Sequence, residues 1–332
     1  MTVPKMPAFS ASEYRRRLEA TWRGLTERKL DAIVLFGPSS INYLTGMDSE
    51  NLFDLQACIV PRDGRPTLVI FEFERGRFQN SAWLDEPVTY EGFDDPLMAV
   101  ASQIGKLGLA HGRLGLEQRQ ATLSPQHAQR FRALLPNATI EDAFGVVERV
   151  RLVKSEEEIE AMRRAAAFTD AGIRAGYGAI AAGVPDAEVA GAIVQAMYRA
   201  GSDTVCWGPI VAAGYRSGLA HSAHNGYVIQ PGDAVFLEVT GQHRRYTSPV
   251  MRTVVLGRAT VHQRRLARAS ADAVAAILEA ARAGRAAREV AEAGLRYIRP
   301  VEQEVVFHYY FGYPVGIGYP PSWRRPGLLH PH

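Results

Sequence analysis

Through its first 150 residues the chain alternates between two hydrophobic periods, and that alternation most narrows the folds open to it. "SASEYRRRLEATWRGLTERKL" (10–30) places its apolar residues at helical spacing, whereas "DAIVLFGP", "QACIVP" and "PTLVIFEF" are short apolar runs closed by Gly, Pro or charge. Runs that are apolar throughout mark strands covered on both faces. Helices interleaved with such strands make an α/β domain around a largely buried sheet.

The pattern changes at "RLVKSEEEIEAMRRAAAFTDAGIRAGY" (151–177). Ser155, with Glu158 three residues later, forms a capping box, and Ile159, Met162, Ala166, Ile173 and Tyr177 then keep helical spacing. This predicts a boundary that divides the chain into domains 1–150 and 151–332, as 332 residues at about 150 per domain allow. A second helix is expected from Pro185–Asp186 to a stop at Gly201, followed by strands in "TVCWGPIVAAG", "DAVFLEVTG" and "SPVMRTVVLG". One long helix is expected from His262 to Tyr297, its arginines forming a solvated face.

Composition excludes several classes of function. A hydrophobic fraction of 47% and a charged fraction of 22% are those of an ordinary globular chain. A net charge of +3 is too weak for a nucleic-acid or membrane surface, which leaves a small molecule as the expected partner. No run approaches the roughly 18 apolar residues of a membrane helix. The N-terminus has a proline and charges where a signal peptide needs an apolar run, and Cys58 and Cys206 have no metal spacing. A cytoplasmic protein with reduced thiols is the expectation. Among familiar cofactor and nucleophile motifs, GxGxxG, GxSxG and CxxC are absent, and "VGIG" (315–318) has no helical pattern after it.

The chemically informative segment is "GLAHSAHNGYVIQPGDAVFLEVTG" (218–241), continued by "RRYTSPVMRTVVLG". His221 stands twelve residues before Asp233, and the "QPGD" turn launches the strand that carries Glu238. This order resembles the pita-bread superfamily of M24 peptidases and creatinases, as do "SSINYLTGMDS" (39–49) and "RLVKSEEEIEAMRRAA" (151–166). The resemblance implies an α/β creatinase-like N-terminal domain followed by an α+β pita-bread catalytic domain. It also implies that His221 transfers protons and that the following strands face the catalytic centre.

The family's metal ligands are the point of departure. In the metallopeptidases two aspartates, a histidine and two glutamates hold a pair of divalent ions. Here the first aspartate falls on Glu238, the second on Pro249, and the histidine on Tyr313 of "GYPVG". Proline cannot ligate, and a phenol titrating near 10 is a poor ligand at neutral pH. The two glutamates belong beyond that motif, where "RRPGLLHPH" (324–332) has no strand pattern, so the expectation is a catalytic domain lacking its last strands. No catalytic metal and no other cofactor is therefore expected.

Within the family that pattern resembles ectoine hydrolase and creatinase, whose substrates pair a planar N–C–N cation with a carboxylate. A carboxylate without metal is a bidentate acceptor for such a cation, and an arginine can clamp the substrate carboxylate. The resemblance assigns proton transfer to His221, cation binding to Glu238 and the clamp to Arg252. His224, Tyr313 and Trp323 are further candidates for the pocket. Phe53, in "SENLFDLQ", matches a loop that in creatinase-like homodimers reaches the neighbouring subunit's site.

Each residue also has a purely structural reading. Glu238 could be an ordinary strand carboxylate, His221 and His224 loop histidines, and Arg252 a tie to a neighbouring carbonyl. Arg244 and Arg245 read as hairpin surface. Tyr313, Trp323 and Phe53 could serve packing alone. Three functions remain open: metal-independent hydrolysis of a non-peptide C–N bond in a small zwitterion, release of residues before proline by a metallopeptidase, or small-molecule binding without turnover.

Overall fold

The structure, a computed structural model, describes residues 3–118, 123–306 and 310–323; the "RRPGLLHPH" segment lies outside them. The chain divides into two compact units, Met1–Ile159 and Glu160–His332.

The first unit contains α1 (Ala11–Glu27), β1 (Ala32–Leu35), α2 (Pro38–Thr45), β2 (Ala57–Pro61), β3 (Thr67–Phe71) and α3 (Arg75–Ser81). It continues with β4 (Val88–Tyr90), α4 (Pro96–Lys106), β5 (Arg113–Leu116), α5 (Pro125–Leu134), β6 (Thr139–Asp142) and α6 (Val146–Leu152). Its sheet has the order β4-β3-β2-β1-β5-β6, with β1 parallel to β5 and antiparallel to β2. All four residues of β1 are buried, as a continuous apolar run demands. On one side Val34, Ile59, Val69 and Leu116 pack with Leu97, Val100 and Ile104 of α4 and Phe131 of α5.

Helix α1 is capped by Ser10, whose Oγ accepts from the Glu13 amide at 3.1 Å. Its inner face carries a fully buried arginine. Arg17 donates to Glu13 at 2.7 Å and to the Tyr43 carbonyl at 3.0 Å, and its guanidinium lies 4.3 Å from the Phe9 ring and 4.4 Å from the Tyr43 ring. Glu158 stands 3.9 Å from the same guanidinium, and the expected box closes with Ser155 N donating to Glu158 at 2.8 Å. Burial pushes the Glu13 carboxyl up, but the hydrogen bonds from Arg16 and Arg17 outweigh it and hold the carboxyl below its ordinary value.

Just beyond β5, Glu117 is buried, accepting from Ser40 Oγ at 2.6 Å and from Gly37 N at 3.4 Å. Burial, then the charge of Glu148, pushes its carboxyl up to about 8. Folded protein therefore keeps a proton that the unfolded chain releases near pH 4.3. Its contribution to stability is greatest below that pH, falls by at most about 1.4 kcal/mol per pH unit as pH rises toward 8, and levels off above it. Glu117→Gln should remove that slope, making the variant the more stable form at pH 9. Urea midpoints for both proteins at pH 4, 7 and 9 test this, and parallel pH curves would sink it.

The second unit holds most of α7 (Glu156–Ala179), then α8 (Asp186–Arg199), β7 (Ile210–Ala213), β8 (Ala234–His243), β9 (Tyr246–Val255), α9 (Val261–Ala280) and α10 (Ala287–Ile298). The single helix expected over 262–297 is two, broken around Gly284, whose φ of 86° no helix interior accommodates. Strands β7, β8 and β9 form an antiparallel sheet, and Ile317 adds a bridge to Tyr246. One face of β8, with Val235, Leu237 and Val239, packs on Ile173 of α7 and on Val189, Ile193 and Met197 of α8. A Cβ on Gly241 would lie 2.6 Å from Phe168 Cβ and 2.7 Å from the Ala165 carbonyl, so only glycine lets α7 approach β8 this closely. Because side chains alternate along a strand, Phe236, Glu238, Thr240 and Gln242 occupy the opposite face.

The turn between β8 and β9 is made by Arg244 (φ 51°) and Arg245 (φ 66°), the left-handed pair that a two-residue hairpin needs. Arg245 is not hairpin surface: it is buried, with its guanidinium 4.5 Å from the Tyr319 ring centre. Asp203 accepts from Arg244 N at 2.5 Å, which helps arginine hold a conformation that normally favours Asn or Gly.

Candidate active site on the β8 face

Glu238 sits in mid-strand, opposite Ile210 on β7 and Met251 on β9. It is half-buried, and its carboxylate has neither a hydrogen bond nor an ion pair among the described residues. Burial raises its carboxyl above the ordinary value, and the charge of His221 partly offsets that rise. The structure thus brings His221 within electrostatic reach of Glu238. His221 belongs to the loop that follows a 3₁₀ turn (Gly214–Gly218) and leads to β8, and it adopts φ 57°. His224, three residues on, is exposed in the same loop.

Arg252 does not join them. It pairs in register with Leu237, whereas Glu238 pairs with Met251, so Arg252 and Glu238 project from opposite faces of the sheet. Its guanidinium is exposed and donates to the Met251 carbonyl at 2.8 Å, the purely structural role. The clamp expected of Arg252 is therefore not brought to the Glu238 face: the residue stands one step out of phase with it along the strand.

Tyr313 and Trp323 meet each other, the Trp323 Nε1 donating to the Tyr313 hydroxyl at 3.0 Å. Trp323 is buried and lies edge-to-face with Trp207, ring centres 6.5 Å apart. Their segment runs along the hairpin end of the sheet, where Thr247 N donates to Gly316 O at 3.1 Å and Gln242 Nε2 to Gly318 O at 2.9 Å. Phe53 lies in the first unit at 97% exposure, in a loop ordered by the Asn51 side chain.

A dinuclear metal centre does not fit this donor set. Pro249, at the position of a second carboxylate, pairs with Thr240, and Tyr313 is committed to Trp323. Among the described residues no three His, Cys, Asp or Glu side chains gather closely enough to hold a metal ion. Among the same residues no helix is long and apolar enough to cross a membrane, and Cys58 and Cys206 are both buried.

In the sequence Asp186 stands out only as the head of α8. The residue is buried, and its carboxylate accepts from the Gly226 and Asn225 amides in the His221 loop. A Pro-Asp pair at a helix start signals a cap. Nothing in its spacing signals a partner about forty residues away.

Comparison with known proteins agrees with this architecture. Residues 17–153 match the creatinase/prolidase N-terminal domain, and residues 160–328 match metallopeptidase family M24. A Xaa-Pro dipeptidase of Lactobacillus helveticus is 28% identical over 82% of this chain and 74% of its own length. An ectoine hydrolase of Halomonas elongata is 26% identical over 95% of this chain and 83% of its own. The prolidase structure from Pyrococcus horikoshii superposes with a TM-score of 0.80 at 18% identity, covering 96% of this chain and 86% of that one, a likeness of fold. With the family model spanning half the chain and the N-terminal domain matched ahead of it, the protein belongs to metallopeptidase family M24.

Proposed function

We propose that this M24-family hydrolase cleaves a non-peptide C–N bond in a small zwitterion without a catalytic metal. The observation that supports this reading is Glu238: a half-buried carboxylate whose side chain has no donor beside it among the described residues, its burial partly offset by the charge of His221. Such a group lowers its free energy by accepting charge-assisted hydrogen bonds from a planar N–C–N cation. His221 removes a proton from water as the oxygen adds to the central carbon of that cation. It returns the proton to the departing nitrogen as the C–N bond breaks. Glu238 holds the cationic group throughout, and His224 stays within the same loop for substrate contact.

The Tyr313–Trp323 pair supports an apolar wall at one end of the sheet. Arg252 takes no part. A cytoplasmic homodimer fits the reading, since an aromatic side chain as exposed as Phe53 suits an interface.

The Xaa-Pro dipeptidase relative supports a second reading, metal-dependent cleavage of dipeptides ending in proline. Titration calorimetry with ectoine, creatine and a Xaa-Pro dipeptide, followed by product analysis with and without chelator, separates the two. The proposal expects turnover of a zwitterion that chelator leaves unchanged. Dipeptide turnover abolished by chelator, in protein carrying about two divalent ions per chain, overturns it. Tight binding with no turnover identifies a non-catalytic relative.

A further inference from the structure

We infer that Asp186 and Arg216 form a two-point mount for the His221 loop and are positioning residues for the site. The inference rests on His221 working beside Glu238, as proposed above. Asp186 is 0% exposed, although it begins a helix whose first turn an exposed carboxylate could serve equally well. Its Oδ1 reaches outside the helix, accepting from Gly226 N at 2.8 Å and from Asn225 N at 3.2 Å. Its Oδ2 is buried with no partner among the described residues, an arrangement that costs stability rather than adding to it. The helix itself does not require this.

The backbone around Asp186 extends the grip. Asp186 N donates to Tyr227 O at 2.8 Å, Pro185 bridges Val228, Ile229 N donates to Val184 O at 3.0 Å, and Gly183 N donates to Ile229 O at 2.9 Å. The segment before α8 thus anchors the loop where it enters the domain. From the other side, Arg216 Nη2 donates to Ala223 O at 2.5 Å. Ala223 and the Asn225–Gly226 pair are therefore held independently, with His224 between them and His221 two residues ahead. The loop also closes on itself, Ser222 N donating to Leu219 O at 3.2 Å. A histidine at φ 57° persists only where its surroundings over-determine it, and these contacts supply that constraint. Loss of either anchor releases the loop from Glu238 while leaving both site residues chemically intact.

The test uses full-length protein and needs no substrate, so its failure is distinct from failure of the proposed reaction. Hydrogen exchange across 219–228 should quicken by about tenfold or more in Asp186→Ala, and little in Asp186→Asn, which keeps an acceptor oxygen. Carboxyl NMR should show the Glu238 titration moving upward in Asp186→Ala, as it should in His221→Ala, because the offsetting charge has moved away. Adding His221→Ala to Asp186→Ala should move it no further. Should Asp186→Ala fail to fold, Arg216→Ala is read by the same two measurements. Wild-type exchange and an unmoved Glu238 titration in Asp186→Ala, or in Arg216→Ala where that variant stands in, would overturn the mount.

Discussion

Replacing His221 with alanine lowers kcat by on the order of 10²–10⁴ and leaves KM nearly unchanged, the usual effect of removing a general acid or base. The prediction follows from the proposed pairing of a loop histidine with a half-buried strand carboxylate whose carboxyl feels its charge. Glu238→Gln behaves differently. Its neutral amide keeps the shape but loses the charge-assisted bond to a cation, so KM rises together with the fall in kcat. Steady-state kinetics on the zwitterion that calorimetry identifies decides both. Wild-type rates in the two variants would show that this face of the sheet is not the active site.

Arg17→Met destabilises the first unit by about 3 kcal/mol or more, because removing one member of a buried ion pair strands the others. Glu13 and Glu158 are both buried around that guanidinium. Arg16, 2.8 Å from Glu13 and 3.2 Å from Glu158, offsets part of the loss, which keeps the expected value at the low end. The stacking of Arg17 on the Phe9 and Tyr43 rings goes as well. For a unit of this size the shift in Tm is about 6 °C or more. Thermal unfolding followed by circular dichroism reads it directly. A change below about 2 °C would mean that Arg16 replaces Arg17 in full.

These three variants mark different kinds of legibility. His221 and Glu238 stood out in the sequence because a turn motif of definite length separates them, and short-range spacing survives folding. Arg17 did not stand out. In an amphipathic helix rich in arginine, nothing local distinguishes the one that turns inward, and its partners Glu158 and the Tyr43 carbonyl are distant in sequence. For Arg252 the face turns on a single step of parity, which the run Val250, Met251, Arg252, Thr253, Val254 does not settle because apolar residues stand on both faces. The register with Leu237 decides it.

By itself the sequence determined the two-part architecture, the α/β character of the first unit, the capping box at Ser155 and the strand carrying Glu238. All of these depend on hydrophobic period and local turn chemistry, which act over a few residues. Only the tertiary structure decided that Arg245 is buried against Tyr319, that the helix after residue 260 is two helices, and that Trp323 hydrogen-bonds Tyr313. It also decided that Asp186 holds a loop some forty residues away. The Arg245 and Asp186 contacts turn on which groups distant in sequence meet once the chain folds, whereas the helix break follows the local conformation of Gly284. The cost of burying a polar group depends on that meeting, not on the residues beside it in the chain.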